Sequence, residues 1–417
     1  MNSPTAQPVS RSPSVLPAEI KFCKKCVISN TRPSGTNEYK HRTDKKHEYI
    51  AFDEEGVCWG CRFAEAKETT IDWVQREKEL IELLDRHRSK DGSYDVVVPG
   101  SGGKDSCMAA HLLKYKYGMH PITVTWAPHM YTDIGWKNFQ NWINVGGFDN
   151  ELFTPNGKVH RLLTRNAFLN LLHPFQPFIV GQKTFPVKVA AKYGIPLIFW
   201  GENPGEYGTN ISVDQKGFTS DPKENEGHRL AFIDRSNIDQ IYLGGKSVAA
   251  YVKEDGIPLG EFDPYLPLDP EAVKRSGIDF QYLGYYIKWH PQGAYYYAAE
   301  HCGFQASPER TAGTYSKYNS LDDKIDDFHY FTTFIKFGIG RATYEAAQEI
   351  RNGEITREEG IALVRKFDGE FPQRFFGDFL EYIGITEEQF WTAIDSYRDP
   401  ILWEKAADGW KLRHKVS

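Results

Sequence analysis

Residues 95 to 106 read Asp-Val-Val-Val-Pro-Gly-Ser-Gly-Gly-Lys-Asp-Ser, an apolar β-run that breaks into a glycine-rich turn ending in Lys104, Asp105 and Ser106. Such a run commits the chain to a strand, a tight loop and a helix in succession. Gly100, Gly102 and Gly103 let the backbone take conformations closed to other residues and point successive N–H groups inward, while the helix that follows offers its positive end to an anion. Phosphate is the natural guest. The spelling departs from the two commonest phosphate loops: a Walker A loop needs Ser or Thr where Asp105 stands, and the dinucleotide fingerprint needs glycine there.

The pattern around this loop is regular. Ile71, Val74, Leu80, Ile81 and Leu84 recur at helical spacing and predict an amphipathic helix over 71–88. Strand 94–99, helix 105–117, strand 121–126, helix 133–144, a short strand near Leu152 and Phe153, helices across 157–173 and 182–193, and strand 195–200 then make successive βα units. That is an α/β fold with a doubly wound parallel sheet, whose ligand lies at the carboxyl ends of the strands. The second such end carries Trp126, Ala127 and Pro128. The last runs into the turn-rich segment from Gly201 to Gly208, which puts Gly201, Glu202, Asn203 and Glu206 where a nucleotide or Mg²⁺ would bind.

Periodicity weakens from 209 to 330, which reads as a cap or insertion shaping an acceptor pocket. Beyond it, 331–417 is helical, with capping boxes at Thr356–Glu359 and Thr386–Gln389. Asp322-Asp323-Lys324 and the interrupted helix Lys336-Phe-Gly-Ile-Gly-Arg341 stand apart. There Lys336 and Arg341 are either solvated charges or partners for phosphate or a substrate carboxylate.

The chain of 417 residues is long enough for two or three domains, and its net charge of -6 gives no global footprint for nucleic acid. Residues 1–18 are rich in Pro, Ser and Thr and predict a disordered tail without the features of a signal peptide. No apolar run approaches the ~20 residues that span a bilayer, so the expected location is the cytoplasm. In that reducing compartment the six cysteines need a reason other than disulfides. Cys23–Cys26 and Cys58–Cys61 form two C-x-x-C knuckles, which suit tetrahedral Zn²⁺ in a module over 19–70. The intervening residues include His41 and His47, so a mixed ligand set stays open, as does a redox role. Cys107 and Cys302 read as small buried residues. The nucleotide domain would then span 71–208.

Ser101-Gly-Gly-Lys-Asp-Ser106 resembles the pyrophosphate-binding loop, or PP-loop, of the HUP-like ATP pyrophosphatases, which adenylate a carbonyl oxygen and let a nucleophile displace AMP. With the cysteine pairs, Gly201-Glu-Asn-Pro204 and Lys336-Phe-Gly-Ile-Gly-Arg-Ala-Thr343, the chain is similar over nearly its whole length after residue 20 to the N-acetyl sugar amidotransferases of bacterial surface-polysaccharide biosynthesis, including LPS O-antigen. The resemblance implies conversion of an acetamido group on a nucleotide-linked sugar to an acetamidino group. It also implies ATP and Mg²⁺ as requirements and ammonia from a separate glutaminase and cyclase-like pair. On that reading the N–H groups of Ser101 to Ser106 and the Lys104 side chain hold the β and γ phosphates, and Asp105 acts through Mg²⁺ or braces the loop. The rival readings are a tRNA thiolase, which shares the activation step but uses sulfur, and a zinc-stabilised module that senses ATP without turnover.

Overall fold

The computed structural model describes residues 16–33, 49–203, 205, 213–214, 217–218, 235–407 and 409–417. After helices α1 (Trp59–Thr69) and α2 (Trp73–His87), the chain runs β1 (Val96–Pro99), α3 (Lys104–His111), β2 (Pro121–Trp126), α4 (Asp133–Asn144), β3 (Asp149–Phe153), α5 (Gly157–Leu171), α6 (Gln176–Tyr193) and β4 (Leu197–Trp200). A fifth strand, β5 (Asp279–Tyr282), completes one parallel sheet in the spatial order β3-β2-β1-β4-β5. Chain order reverses between β1 and β4, and the crevice outside their carboxyl ends is where an open α/β sheet takes its ligand.

The strand period of two divides the sheet between two cores. Val97 and Ile198 face the side packed with Val180, Val187 and Ala190 of α6. Val96, Val98, Leu197 and Phe199 face Leu80 and Leu84 of α2, Cys107 of α3 and Trp142 of α4. All four residues of β1 are buried, as a central strand covered on both faces requires.

Several elements differ from the sequence expectation. Helix α2 starts at Trp73, capped by the Asp72 side chain, and buries Arg76, Leu80, Leu83 and Leu84. Val74 (68% exposed) and Ile81 (43%) lie on its outer face, so only part of the expected apolar stripe packs inward. Helix α6 begins six residues before position 182, with Pro177 in its first turn and Pro186 inside. A first-turn proline costs no hydrogen bond, and burial of both faces overrides the breaker signal of Gly181 and Pro186. A Cβ on Gly181 would stand 2.3 Å from the Trp126 ring, so glycine lets α6 lie close against the end of β2.

Strand β5 falls inside the 209–330 segment expected to be a cap. It pairs with β4 at four positions from Leu197↔Asp279 to Trp200↔Tyr282. Helix α7 (Pro291–Cys302) packs against α3 on the same unit. Four residues alternating polar and apolar are too short a signal to reveal an edge strand. A domain boundary at 208 would therefore cut one sheet.

Toward the C-terminus the chain continues through α8 (Asp326–Phe337), α9 (Arg341–Arg351), α10 (Arg357–Phe367), α11 (Phe376–Ile383) and α12 (Glu387–Ser396), followed by the hairpin β6 (Trp403–Ala406) and β7 (Gly409–Leu412). Both expected capping boxes form. Their core is aromatic, with Phe328 stacked on Phe379 at 4.2 Å between ring centroids. The N-terminal cysteine segment docks on this region: Thr31 Oγ1 donates to the Phe337 carbonyl at 2.7 Å and Arg357 Nε to that of Cys26 at 3.2 Å. Among the described residues, no helix is long and apolar enough to cross a membrane. Most of the expected tail, residues 1–15, lies outside the described residues, as do His41, His47 and Glu206.

Candidate active site

The glycine-rich loop and the end of β4 open onto one cavity of about 170 Å³. Gly102 takes φ +84°, and a Cβ there would stand 2.8 Å from the backbone of Asn138 and Phe139. Gly201 carries a tighter restriction, since its Cβ would meet the Asp105 carbonyl oxygen at 2.4 Å. Close approach of β4 to the loop thus depends on glycine at 201. Gly103 caps α3, whose first turn holds Lys104, Asp105 and Ser106, and Ser106 Oγ donates to the Gly103 carbonyl at 3.0 Å.

Lys104 is nearly buried, and its Nζ lies 2.7 Å from Asp105 Oδ2. The other Asp105 oxygen, Oδ1, and Glu202 Oε2 are buried without hydrogen-bond partners. Burial pushes the Glu202 carboxyl above its ordinary range, opposed by the positive charge of Lys183. Two orphaned carboxylate oxygens beside a glycine-rich loop at a helix N-terminus suit a hard divalent cation.

Tyr318 to Asp322 also line the cavity wall. Asp322 is a site residue that the sequence reading missed. Burial raises its carboxyl pKa, while a hydrogen bond with Ser101 of the loop opposes the rise. The Asp322-Asp323 pair stood out in the sequence, but only the fold turns Asp322 toward a loop more than two hundred residues earlier.

Three expected site residues do not line this cavity. Asn203 is buried, its Nδ2 donating to the Gly284 carbonyl at 2.9 Å and its Oδ1 accepting from Gly205 N at 3.0 Å, so it braces the turn after β4. Lys336 donates to the Leu171 carbonyl at 2.6 Å. Arg341 is 1% exposed and ion-paired to Asp327 and Glu345, both at 3.3 Å. Its Nη2 donates to the carbonyl of Asn319, a wall residue, so Arg341 holds the wall from behind.

The four paired cysteines are all buried, with Sγ atoms within 4.8 Å of one another. Backbone N–H groups of Lys25, Cys26 and Cys58 point at Cys23 Sγ at 3.3–3.4 Å. Arg351 Nη2 stands 3.5 Å from Cys58 Sγ and 3.7 Å from Cys26 Sγ. Four converging sulfurs with a nearby cation suit Zn²⁺ in a closed structural site. Cys107 and Cys302 are buried and packed together, Cys302 Sγ lying 3.7 Å from the Cys107 carbonyl.

Residues 312–417 match the family described as LPS biosynthesis protein WbpG-like, C-terminal domain. The matched segment includes the cavity residues Tyr318 to Asp322 as well as Arg341 and Arg351. No curated protein matches the chain. Among solved structures, the NH3-dependent NAD synthetase from Campylobacter jejuni subsp. jejuni NCTC 11168, in complex with the nitrate ion, is 15% identical with a TM-score of 0.25. That match covers 32% of this chain and 58% of that one, so the chain spans less than two thirds of that enzyme. NMN synthetase from Francisella tularensis is 10% identical, with a TM-score of 0.35 and coverage of 74% and 96%. A predicted subunit of tRNA methyltransferase from Methanocaldococcus jannaschii is 16% identical, with a TM-score of 0.26 and coverage of 54% and 82%. At these scores the likenesses carry no weight for activity.

Proposed function

We propose that this chain is an ATP-dependent amidotransferase that converts an N-acetyl group on a nucleotide-linked sugar to an acetamidino group in LPS or a related glycan. One observation carries the reading: a single cavity is lined both by the glycine-rich loop and by residues of the segment that matches the WbpG-like domain. Phosphate chemistry and a glycan-pathway domain thus share one reaction space.

An amide resists ammonia because its oxygen is a poor leaving group. The amide oxygen first attacks the α-phosphorus of ATP, forming a C–O–P bond as the bond to pyrophosphate breaks. Ammonia then adds to the imidate carbon. The C–O bond breaks, AMP departs with the former amide oxygen, and the strongly basic amidine keeps the surplus proton. The loop N–H groups of Ser101 to Ser106 and Lys104 stabilise the departing pyrophosphate by fixed electrostatics, Lys104 exchanging Asp105 for phosphate. Asp105 and Glu202 would hold Mg²⁺, whose role is to neutralise phosphate charge. Asp322, hydrogen-bonded to Ser101, lines the same cavity and would contact the acceptor.

The nitrogen source in this reading is a separate glutaminase and cyclase-like pair, and the enzyme works in the cytoplasm. All six cysteines are buried, four of them in one cluster, which weighs against a sulfur-transfer reaction needing a reactive thiol. The test is an end-point assay with ATP, Mg²⁺, an ammonium salt and a UDP-linked diacetamido uronic acid, read by mass spectrometry. AMP formed together with exchange of one carbonyl oxygen for NH supports the reading. AMP without a changed sugar refutes the acceptor, and neither product, with a nitrogen-supplying partner also tried, refutes the reaction.

A further inference from the structure

Asp322 and Asp323 are neighbours that serve opposite sides of the cavity wall. Asp322 lines the cavity. Asp323 turns away, its Oδ2 accepting from both the backbone N–H and the ring Nδ1 of His129 at 2.6 Å, and its Oδ1 from Ile325 N at 2.9 Å. His129 follows the carboxyl end of β2, and its side chain is wholly buried. Its ring stacks on His160 of α5 with centroids 4.7 Å apart and planes 24° apart. His160 Nδ1 lies 2.8 Å from the Tyr265 hydroxyl.

Each imidazole therefore spends one nitrogen on the protein. The other, Nε2 in both rings, is buried with no hydrogen-bond partner, as is the indole N–H of Trp126, whose ring centroid lies 6.2 Å from that of His160. The rest of the surround is aromatic: Phe175, Phe178 and Tyr382 stand 5.0, 5.3 and 5.8 Å from His129 between ring centroids. Burial beside His129 pushes the His160 pKa well down, so that ring stays neutral. Unsatisfied buried polar atoms are rare in native proteins. Two on stacked rings call for a small polar molecule between protein groups.

We propose, resting on the amidotransferase reading, that the His129–His160 stack is an internal site for ammonia, one residue behind the nucleotide cavity. Neutral ammonia is small and both donates and accepts hydrogen bonds, which suits ring nitrogens in an aromatic surround. Ammonium would give up its hydration shell for a wall dominated by carbon. Asp323 Oδ2 accepts from Nδ1 of His129, which directs the other ring nitrogen, Nε2, to the proposed guest. Storage on the dry side of Asp322 would deliver the nucleophile while keeping water from the adenylate.

The test uses the full chain in two arms. His160→Phe keeps a flat ring in the stack and removes both nitrogens. Its KM for ammonium chloride is expected to rise about tenfold, the equivalent of one lost hydrogen bond, with the KM for ATP unchanged. An unchanged ammonium KM overturns the proposal. The second arm needs no turnover and decides the matter if the variant does not fold. Wild-type protein, isotope-labelled at its histidine nitrogens, is titrated in alkaline buffer with ammonium chloride and, separately, with sodium chloride. Saturable shifts of the His129 and His160 Nε2 resonances with the ammonium salt alone are expected. No shift, or the same shift with both salts, means that water is the occupant and overturns the proposal. An enzyme that transfers no nitrogen yet shows the ammonium-specific shifts would refute the amidotransferase reading and leave the site standing.

Discussion

Gly201→Ala is a perturbation whose size can be worked directly from the structure. The added Cβ would stand 2.4 Å from the Asp105 carbonyl oxygen, 2.6 Å from its carbon and 3.0 Å from Ser106 N. All three are backbone atoms at the start of α3, so no side chain can swing away. Ordinary van der Waals separation requires the end of β4 and the loop to part by about 1 Å, an overpacking that costs about 1–3 kcal/mol. Backbone strain adds nothing, because the φ of Gly201 does not fall in the left-handed region. The catalytic effect should exceed the effect on stability, since a misplacement of about 1 Å in a positioning element costs on the order of a hundredfold in rate. The expected outcome is a modestly lowered melting temperature with ATP-dependent AMP release reduced about a hundredfold. Gly157→Ala, where a Cβ meets nothing within 4 Å, is the control and should leave AMP release intact. If Gly201→Ala released AMP at the wild-type rate, the contact between β4 and the loop would not position the phosphates, and the cavity would lose its claim to the chemistry.

Lys104→Ala should abolish AMP formation while circular dichroism and zinc content stay as in the wild type; retained turnover would remove the loop from the reaction. The Asp326 carboxyl is raised to about 7 by burial, against the opposing charge of Arg341. Because its folded pKa lies above its unfolded value near 4, the folded state binds the extra proton, and stability is lost as pH rises from about 4 to about 7. Asp326→Asn should flatten the pH dependence of chemical denaturation across that window, and an unchanged slope would refute the assignment. Cys58→Ser should lower both zinc content and stability, measured by metal analysis and thermal melting. A variant with full zinc would show that the Cys58 sulfur is not a ligand.

Strand 121–126 and helix 133–144 were legible in the sequence to the residue, because each carries a complete local signal. For the helix this includes Thr132, whose side chain accepts from Gly135 N. The loop from Gly100 to Ser106 was equally legible as a contiguous motif, although only Gly102, at φ +84°, takes the left-handed backbone expected of all three glycines, while Gly103 caps α3 at φ -72°. What escaped was set by distance in sequence. Strand β5 has only four residues and no apolar run, and it is a strand because β4 offers it an edge. Asp322 enters the cavity because Gly135 leaves room for it: a Cβ there would stand 2.3 Å from the Asp322 Cα. Arg341 read as a free cation beside glycines, yet those glycines end α8 and begin α9, and the charge is consumed by Asp327 and Glu345. Nothing in the local spelling separates a cation that meets substrate from one that holds the wall.

The placement of arginines at the two ends of α9 gives the N-terminal cysteine module a structural meaning. The helix has eleven residues and so is about 16 Å long. At its start, Arg341 holds the carbonyl of Asn319 in the cavity wall; at its end, Arg351 lies against the sulfurs of Cys26 and Cys58. A Cβ on Gly60, inside the second knuckle, would stand 2.6 Å from the Arg351 guanidinium carbon, so the knuckle is shaped to receive that side chain. Four clustered sulfurs that share negative charge need a cation nearby, and a buried guanidinium needs an anion; each relieves the other's desolvation. The sulfur cluster thus lies against one end of a short helix whose other end holds a residue lining the cavity beside the glycine-rich loop.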